Sequence, residues 1–194
     1  MLRLGLGIAI ILAAGPALAA PEWAIVPAES TLGFTATQNG APTEGGLGTF
    51  SGTIVFDPDD LAGAKIEIDV DMTSVAGPYD ALSETLKQDD WFASAAFPKA
   101  HYSASIVSRE PAGGYRADGT LTLRGISAPV ALTFDFKQFG PKAGASGTLC
   151  AVAEGDATVM RTVFGVGQGA WAKTDEVKDA VRVHFTVTAE RSGP

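Results

Sequence analysis

The sequence has a single cysteine, Cys150, and only two histidines, His101 and His184, in 194 residues. One cysteine excludes an intramolecular disulfide and leaves Cys150 as a small buried hydrophobe. A zinc site needs several His, Cys or carboxylate ligands converging on one point, and these three residues are too few. Nucleophilic catalysis needs a nucleophile beside a base. No G-x-S-x-G elbow is present, and both histidines fall on the wet parity of the segments that carry them. No catalytic residue, metal ligand or cofactor is therefore expected. Positive charge is scarce too: 14 Lys and Arg stand against 22 Asp and Glu, a net charge of −8. Without a basic cluster the chain lacks the footprint of a nucleic-acid binder, and anionic lipid headgroups would repel it.

One long apolar run occurs, and it sits at the start. Arg3 is followed by an apolar stretch from Leu4 to Ala14 and then by the small-residue triplet Ala17-Leu18-Ala19. A run this short falls below the ~20 residues of a membrane span. With a basic start and an A-x-A site it reads as a secretory signal peptide over residues 1–19, cleaved after Ala19. The expected location is periplasmic. The remaining 20–194 suits one domain.

What the chain has in quantity is alternation. From Tyr115 to Leu123, apolar or small residues occupy one parity, while Arg116, Asp118, Thr120 and Thr122 occupy the other. A turn through Gly125-Ile126-Ser127 follows. Pro129 then starts a second run in which Val130, Leu132, Phe134 and Phe136 share one face. Two amphipathic strands around a short Gly-containing turn make an antiparallel hairpin. The same two-residue repeat marks Ser30–Gln38, Phe50–Phe56, Ala64–Met72, Ala100–Val107 (Tyr102, Ala104 and Ile106 inward) and Val181–Ala189. Over 149–153 periodicity does not decide which parity faces in. The stretch 39–48, rich in Gly, Pro and Asn, reads as a loop. The carboxylates Glu67, Asp69 and Asp71 alternate with apolar residues and read as a solvated outer face. A calcium loop from Asp57 fails at its fifth, sixth and twelfth positions, Leu61, Ala62 and Ile68.

One helix is expected, from about Tyr79 to Gln88, with Tyr79, Leu82 and Leu86 as a narrow apolar stripe and Pro78 in the first turn. Trp91, Phe92 and Phe97 follow between sheet segments, either as a hydrophobic plug or as a lid over a pocket. The Gly-rich 161–169 stretch does not open a helix after a strand, so it is a rim loop and no phosphate cradle.

Parallel sheets would need a helix between successive strands, for which there is no room. The pattern therefore predicts an all-β fold: an antiparallel up-and-down barrel of ~8 strands with one short helix near one end. Its interior would be lined by Phe34, Phe50, Ile54 and Phe56, by Tyr102 and Leu121, and by Leu132 and Phe134. Such a barrel is either filled by its own side chains or holds one small ligand.

Several motifs together resemble the YceI-like family of secreted bacterial lipid-binding proteins. They are Gly48-Thr49-Phe50-Ser51-Gly52 with Phe56-Asp57, Thr73-Ser74-Val75, Leu86–Phe92 with Phe97-Pro98, and Gly119–Gly125 with Pro129-Val130. Arg161 and Phe164-Gly165-Val166 complete the set. The resemblance implies a lipocalin-like barrel with a helix over one end and an apolar lumen for a polyisoprenoid or other long-chain lipid. It departs from the family at Gln38, where a His is frequent, at Leu47, where an aromatic is common, and over 150–153, which has no clear counterpart. On this reading Leu82, Leu86, Trp91, Phe92 and Phe164 join the barrel residues as ligand contacts. Two readings stand beside each other: a periplasmic carrier, and a ligand-free structural or stress-induced domain. Fusion of some family members to cytochromes adds a membrane redox partner by analogy, and a homodimer is left open.

Overall fold

The computed structural model describes residues 20–193; the signal peptide read over 1–19 lies outside them. The strands are β1 (Glu22–Ile25), β2 (Thr31–Gln38), β3 (Ala41–Leu47), β4 (Phe50–Val55), β5 (Lys65–Asp71), β6 (Val75–Ala76) and β7 (Lys99–Arg109). They continue with β8 (Tyr115–Leu123), β9 (Ile126–Pro141), β10 (Thr148–Met160) and β11 (Ala180–Ser192). The helix α1 (Asp80–Lys87) sits between β6 and β7. Every strand pairing is antiparallel. The order β1-β4-β5-β7-β8-β9-β10-β11 closes on itself through β1–β11, giving an eight-stranded barrel with one short helix.

The closure explains why the opening strand is broken. β1 and β2 both lie along β11, first through Ala24 opposite Glu190 and then through Thr31 opposite Thr186. Pro27 starts a 3₁₀ turn between them. The turn is held by Val26 N–H donating to Thr188 O at 2.8 Å and Thr188 Oγ1 donating to Glu29 O at 2.9 Å. β3 and the two-residue β6 extend β2 beyond the ring, at the end where α1 packs.

Several sequence expectations need correction. The 39–48 stretch is not a loop: Asn39 (φ 50°) and Gly40 (φ 80°) form a two-residue turn, and β3 pairs back onto β2. β3 shows no apolar alternation because it lies outside the closed ring, and its Gly45 clears space for Phe34, whose ring would sit 2.2 Å from a Cβ there. The central hairpin turns at Arg124 (φ 51°) and Gly125 (φ 72°), so Ile126 and Ser127 already belong to β9. Pro129 is tolerated inside β9 because pairing with β10 stops at Leu132, so the outer side of Pro129 has no ladder partner.

The inward position assigned to Ile106 also fails. The β7–β8 register shifts between Ala104 and Ile106. That bulge turns Ile106 out to 64% exposure and buries Val107 instead. Tyr79 is the extended residue capping α1 and is 61% exposed, so the apolar stripe is Leu82 and Leu86 alone. Pro78 precedes that cap rather than entering the first turn.

On the outer face the carboxylates of β5 are paired rather than merely solvated. His101 reaches Asp69 at 2.8 Å through Nδ1 and Glu67 at 3.0 Å through Nε2, and Ser103 Oγ donates to Glu67 at 2.9 Å.

Candidate functional site

The barrel encloses a cavity of about 330 Å³. A single buried water needs only about 10–15 Å³, so this is a lumen rather than a packing defect. Its wall follows β11 from Val181 to Ala189. That is roughly 26 Å along the strand and, at the usual barrel tilt, roughly 20 Å along the axis.

Strand parity delivers the wall. Phe34, Phe50, Ile54, Phe56, Tyr102, Leu121, Leu132 and Phe134 all border the cavity, as do Leu82, Leu86, Trp91 and Phe92 from the helix end. Phe164 does not border it. It is 1% exposed, in the 3₁₀ turn Arg161–Phe164 that packs against β9, and serves the core behind the wall. For β10 the undecided parity resolves: Ala151, Ala153, Ala157 and Val159 face the lumen, while Cys150 is buried off the cavity. Small side chains on this strand keep the bore open. Burial, followed by the nearby Glu190 carboxylate, pushes the Cys150 thiol above its ordinary pKa.

The two ends of the lumen differ. At one, Phe56, Tyr115, Phe134, Phe136 and Phe139 form a chain of ring contacts at 4.9 to 5.3 Å, and Trp23 meets Phe139 at 5.2 Å. Phe139 reaches this face because the β9–β10 register shifts between Phe136 and Gln138. At the other end, α1 and the 161–178 segment close over the strands. Gln168 N–H donates to Asp90 O at 2.7 Å, and Asn39 N–H donates to Glu176 O at 2.7 Å. Trp171 lies against Trp91 with ring centroids 5.5 Å apart, and Phe34 meets Phe92 at 6.3 Å. The plug-or-lid cluster thus borders the cavity and is also packed into the closing layer.

Polar groups on the wall are few, and most are already used. Trp23 Nε1 donates to Phe56 O at 2.9 Å, and Thr85 Oγ1 donates to Ala81 O at 2.8 Å. The Tyr102 hydroxyl lies 3.2 Å from Ala117 O and from Val130 O. Burial, and then Asp118, raises the Tyr102 pKa, so it stays a neutral donor. Among the described residues, Arg161 brings the one charge to the wall, and it is 3% exposed. Its guanidinium donates to six carbonyls, those of Val166, Gly167, Trp171, Lys173, Val177 and Lys178, at 2.8 to 3.2 Å. Burial pulls its pKa down and Asp179 partly offsets this.

Arg161 stands in one of the family motifs, where its position along the chain carries no sign of its role. It ties both ends of the 161–178 segment together, a task that strand parity does not reveal. Trp171 and Val177 also join the wall unforeseen, because they arrive from an irregular segment. Gln38 and Thr43, half-buried, border the cavity at the same end.

A family model described as the YceI-like domain matches residues 23–189. A UPF0312 protein of Vibrio campbellii is 26% identical over 133 residues, 68% of this chain and 70% of that protein. Among solved structures, BcnA of Burkholderia cenocepacia superposes with a TM-score of 0.75 at 25% identity, covering 84% of this chain and 98% of BcnA. A polyisoprenoid binding domain from Saccharophagus degradans, implicated in plant cell wall breakdown, superposes with a TM-score of 0.63 at 15% identity, covering 89% and 98%.

Proposed function

The chain belongs to the YceI-like domain family, and from that premise we propose that it is a periplasmic binding protein that holds one long isoprenoid or similar amphiphile in its barrel. The observation that carries this is the lumen. It is about 330 Å³ and borders strand residues that are almost all hydrocarbon or aromatic. Each methylene removed from water contributes ~0.8 kcal/mol, so several prenyl units outweigh association costs of ~4–15 kcal/mol. The ligand is neutral. Arg161 brings the only charge to the wall among the described residues, and six carbonyls already surround it, so no free cation waits for a carboxylate. The polyisoprenoid binding domain of similar fold supports the ligand class. The signal read over residues 1–19 supports export.

Purification without detergent, solvent extraction and mass spectrometry test the ligand. One prenyl or other long-chain lipid per barrel is expected. An empty extract from protein that also fails to take up added prenyl lipid would return the ligand-free structural reading. Intact mass tests export: the exported chain should begin at Ala20, and a membrane-retained full-length product would overturn the periplasmic assignment.

A further inference from the structure

Strand parity carries one charged residue to the edge of the lumen. On β11, Val181, Val183, Phe185, Val187 and Ala189 all border the cavity. Arg191 is the next residue of the same parity. It stands one step beyond the wall, at the aromatic end. Its guanidinium carbon lies 5.0 Å from the centre of the Trp23 ring. Trp23 borders the cavity and meets Phe139 at 5.2 Å. Phe139 borders the cavity too and is 41% exposed. Lumen wall and outer surface meet at this ring, and Arg191 lies across Trp23 from it.

The arginines nearby are spent, and this one is not. Arg161 on the wall is used up on six carbonyls, and Arg109 at the same end donates to the Tyr115 hydroxyl and to Pro58 O. Arg191 has no ion-pair partner among the described residues. The neighbouring Glu190 is taken by Lys142, which also lies 3.8 Å from Glu29. Of the Arg191 nitrogens only Nε is both buried and unpaired. The two Nη atoms keep open surface and have no protein acceptor among the described residues. The stem is pinned on the Trp23 face, and the far edge of the guanidinium is left with donors to give.

We propose that Arg191 is the head-group site of the lumen: its Nη atoms donate to an uncharged oxygen, a carbonyl or hydroxyl, on a lipid whose chain runs past Phe139 into the bore. The ligand then lies with its head at the Trp23 end and its tail toward α1. This rests on the lumen being a lipid site and adds a direction and a chemistry to it. A hydrogen bond from a cationic donor is stronger than one between neutral groups, so a single carbonyl suffices to fix the head. An uncharged head also fits the charge already present. Arg191 and Lys142 on this rim stand against Glu29 and Glu190, two charges of each sign, in a molecule of net charge −8. An anionic head would add to that excess.

The test uses two probes of equal length, farnesylacetone and the hydrocarbon with a methylene in place of its carbonyl. Arg191→Met keeps an unbranched stem over Trp23 and removes every donor. The ratio of ketone to hydrocarbon affinity should fall about tenfold from wild type to Arg191→Met, with hydrocarbon affinity retained. The infrared carbonyl stretch of the bound ketone should lie at lower frequency in the wild-type protein than in the variant. An unchanged ratio, or the same carbonyl frequency in both proteins, overturns the assignment while leaving the lumen intact and makes Arg191 a cap on Trp23 alone. Farnesylacetic acid, of nearly the same shape with a carboxylate in place of the methyl ketone, should bind the wild-type protein no more tightly than the ketone. Tighter binding overturns the uncharged head. Failure of the wild-type protein to bind any of the three probes overturns the lumen reading and this one with it.

Discussion

Arg161 shows how one residue can decide the closure of a barrel end. Its guanidinium joins backbone that would otherwise be irregular and unpaired, and it does so from full burial. Arg161→Met leaves six carbonyls without this donor and should cost about 3 kcal/mol in denaturant unfolding. Unchanged stability would show that these bonds are replaceable by water. The two indoles at opposite ends of the lumen should behave differently. Trp23→Phe removes a buried bond to Phe56 O and should lower the melting temperature, whereas Trp91→Phe removes no bond within the protein and should not. Equal losses would show that packing, not the N–H, dominates at both. Cys150, buried with a raised pKa, should resist thiol reagents in the native state, and the protein should migrate identically with and without reductant. Of these roles the sequence announced only that of Cys150, from its solitude. A donor's partner depends on what the fold brings near it, and spacing along the chain does not encode that.

At the level of elements, parity predicted most faces correctly because a closed barrel has one dry side. β8 and the strand core of β9 place Tyr115, Leu121, Leu132 and Phe134 as their alternation requires. Parity failed where the ladder itself slips, at the bulge before Ile106, and where an element lies outside the ring, as β3 does. No composition signal marks a bulge, since Ala104, Ser105 and Ile106 suit a regular strand equally well. The Asn39-Gly40 pair was a turn signal that could have been read; the lack of apolar residues after it hid the strand. The helix end invites a direct trial. Leu86 is buried among Phe34 and Val75 while bordering the cavity. Leu86→Asp should weaken lipid retention more than it lowers the melting temperature if this layer gates the lumen. A parallel fall in both would make it plug alone.

The outer face of β5 gives a pH dependence. Burial works to raise the Glu67 pKa, but hydrogen bonds from Ser103 and Lys65 and the charges of Lys65 and His101 outweigh it and hold the carboxyl below its usual 4.5. Asp71 is held below 3.8 mainly by hydrogen bonds from Thr73. A depressed carboxylate contributes stability that is present above its unfolded pKa and lost as pH falls through its folded one. Melting temperature should therefore decline as pH drops below about 4.5. In a double variant, Glu67→Gln with Asp71→Asn, that decline should be shallower. An identical slope would place the titration elsewhere.

For the whole molecule, the closed sheet leaves no free edge inside the ring and concentrates the apolar faces on one internal surface. The fold class was legible because alternation without helices admits few other solutions. Whether the interior was filled or hollow was not legible, since it depends on side-chain volumes meeting across the bore. Ala151, Ala153 and Ala157 on β10 keep that bore open. Phe134, buried at the centre of the aromatic end, offers the sharpest probe of whether the hollow is used. Native mass spectrometry of detergent-free protein, wild type beside Phe134→Asn, tests this most directly. One long-chain lipid is expected on each wild-type barrel and none on the folded variant. A wild-type spectrum without adduct after incubation with farnesylacetone, or equal occupancy of the two proteins, would contradict it.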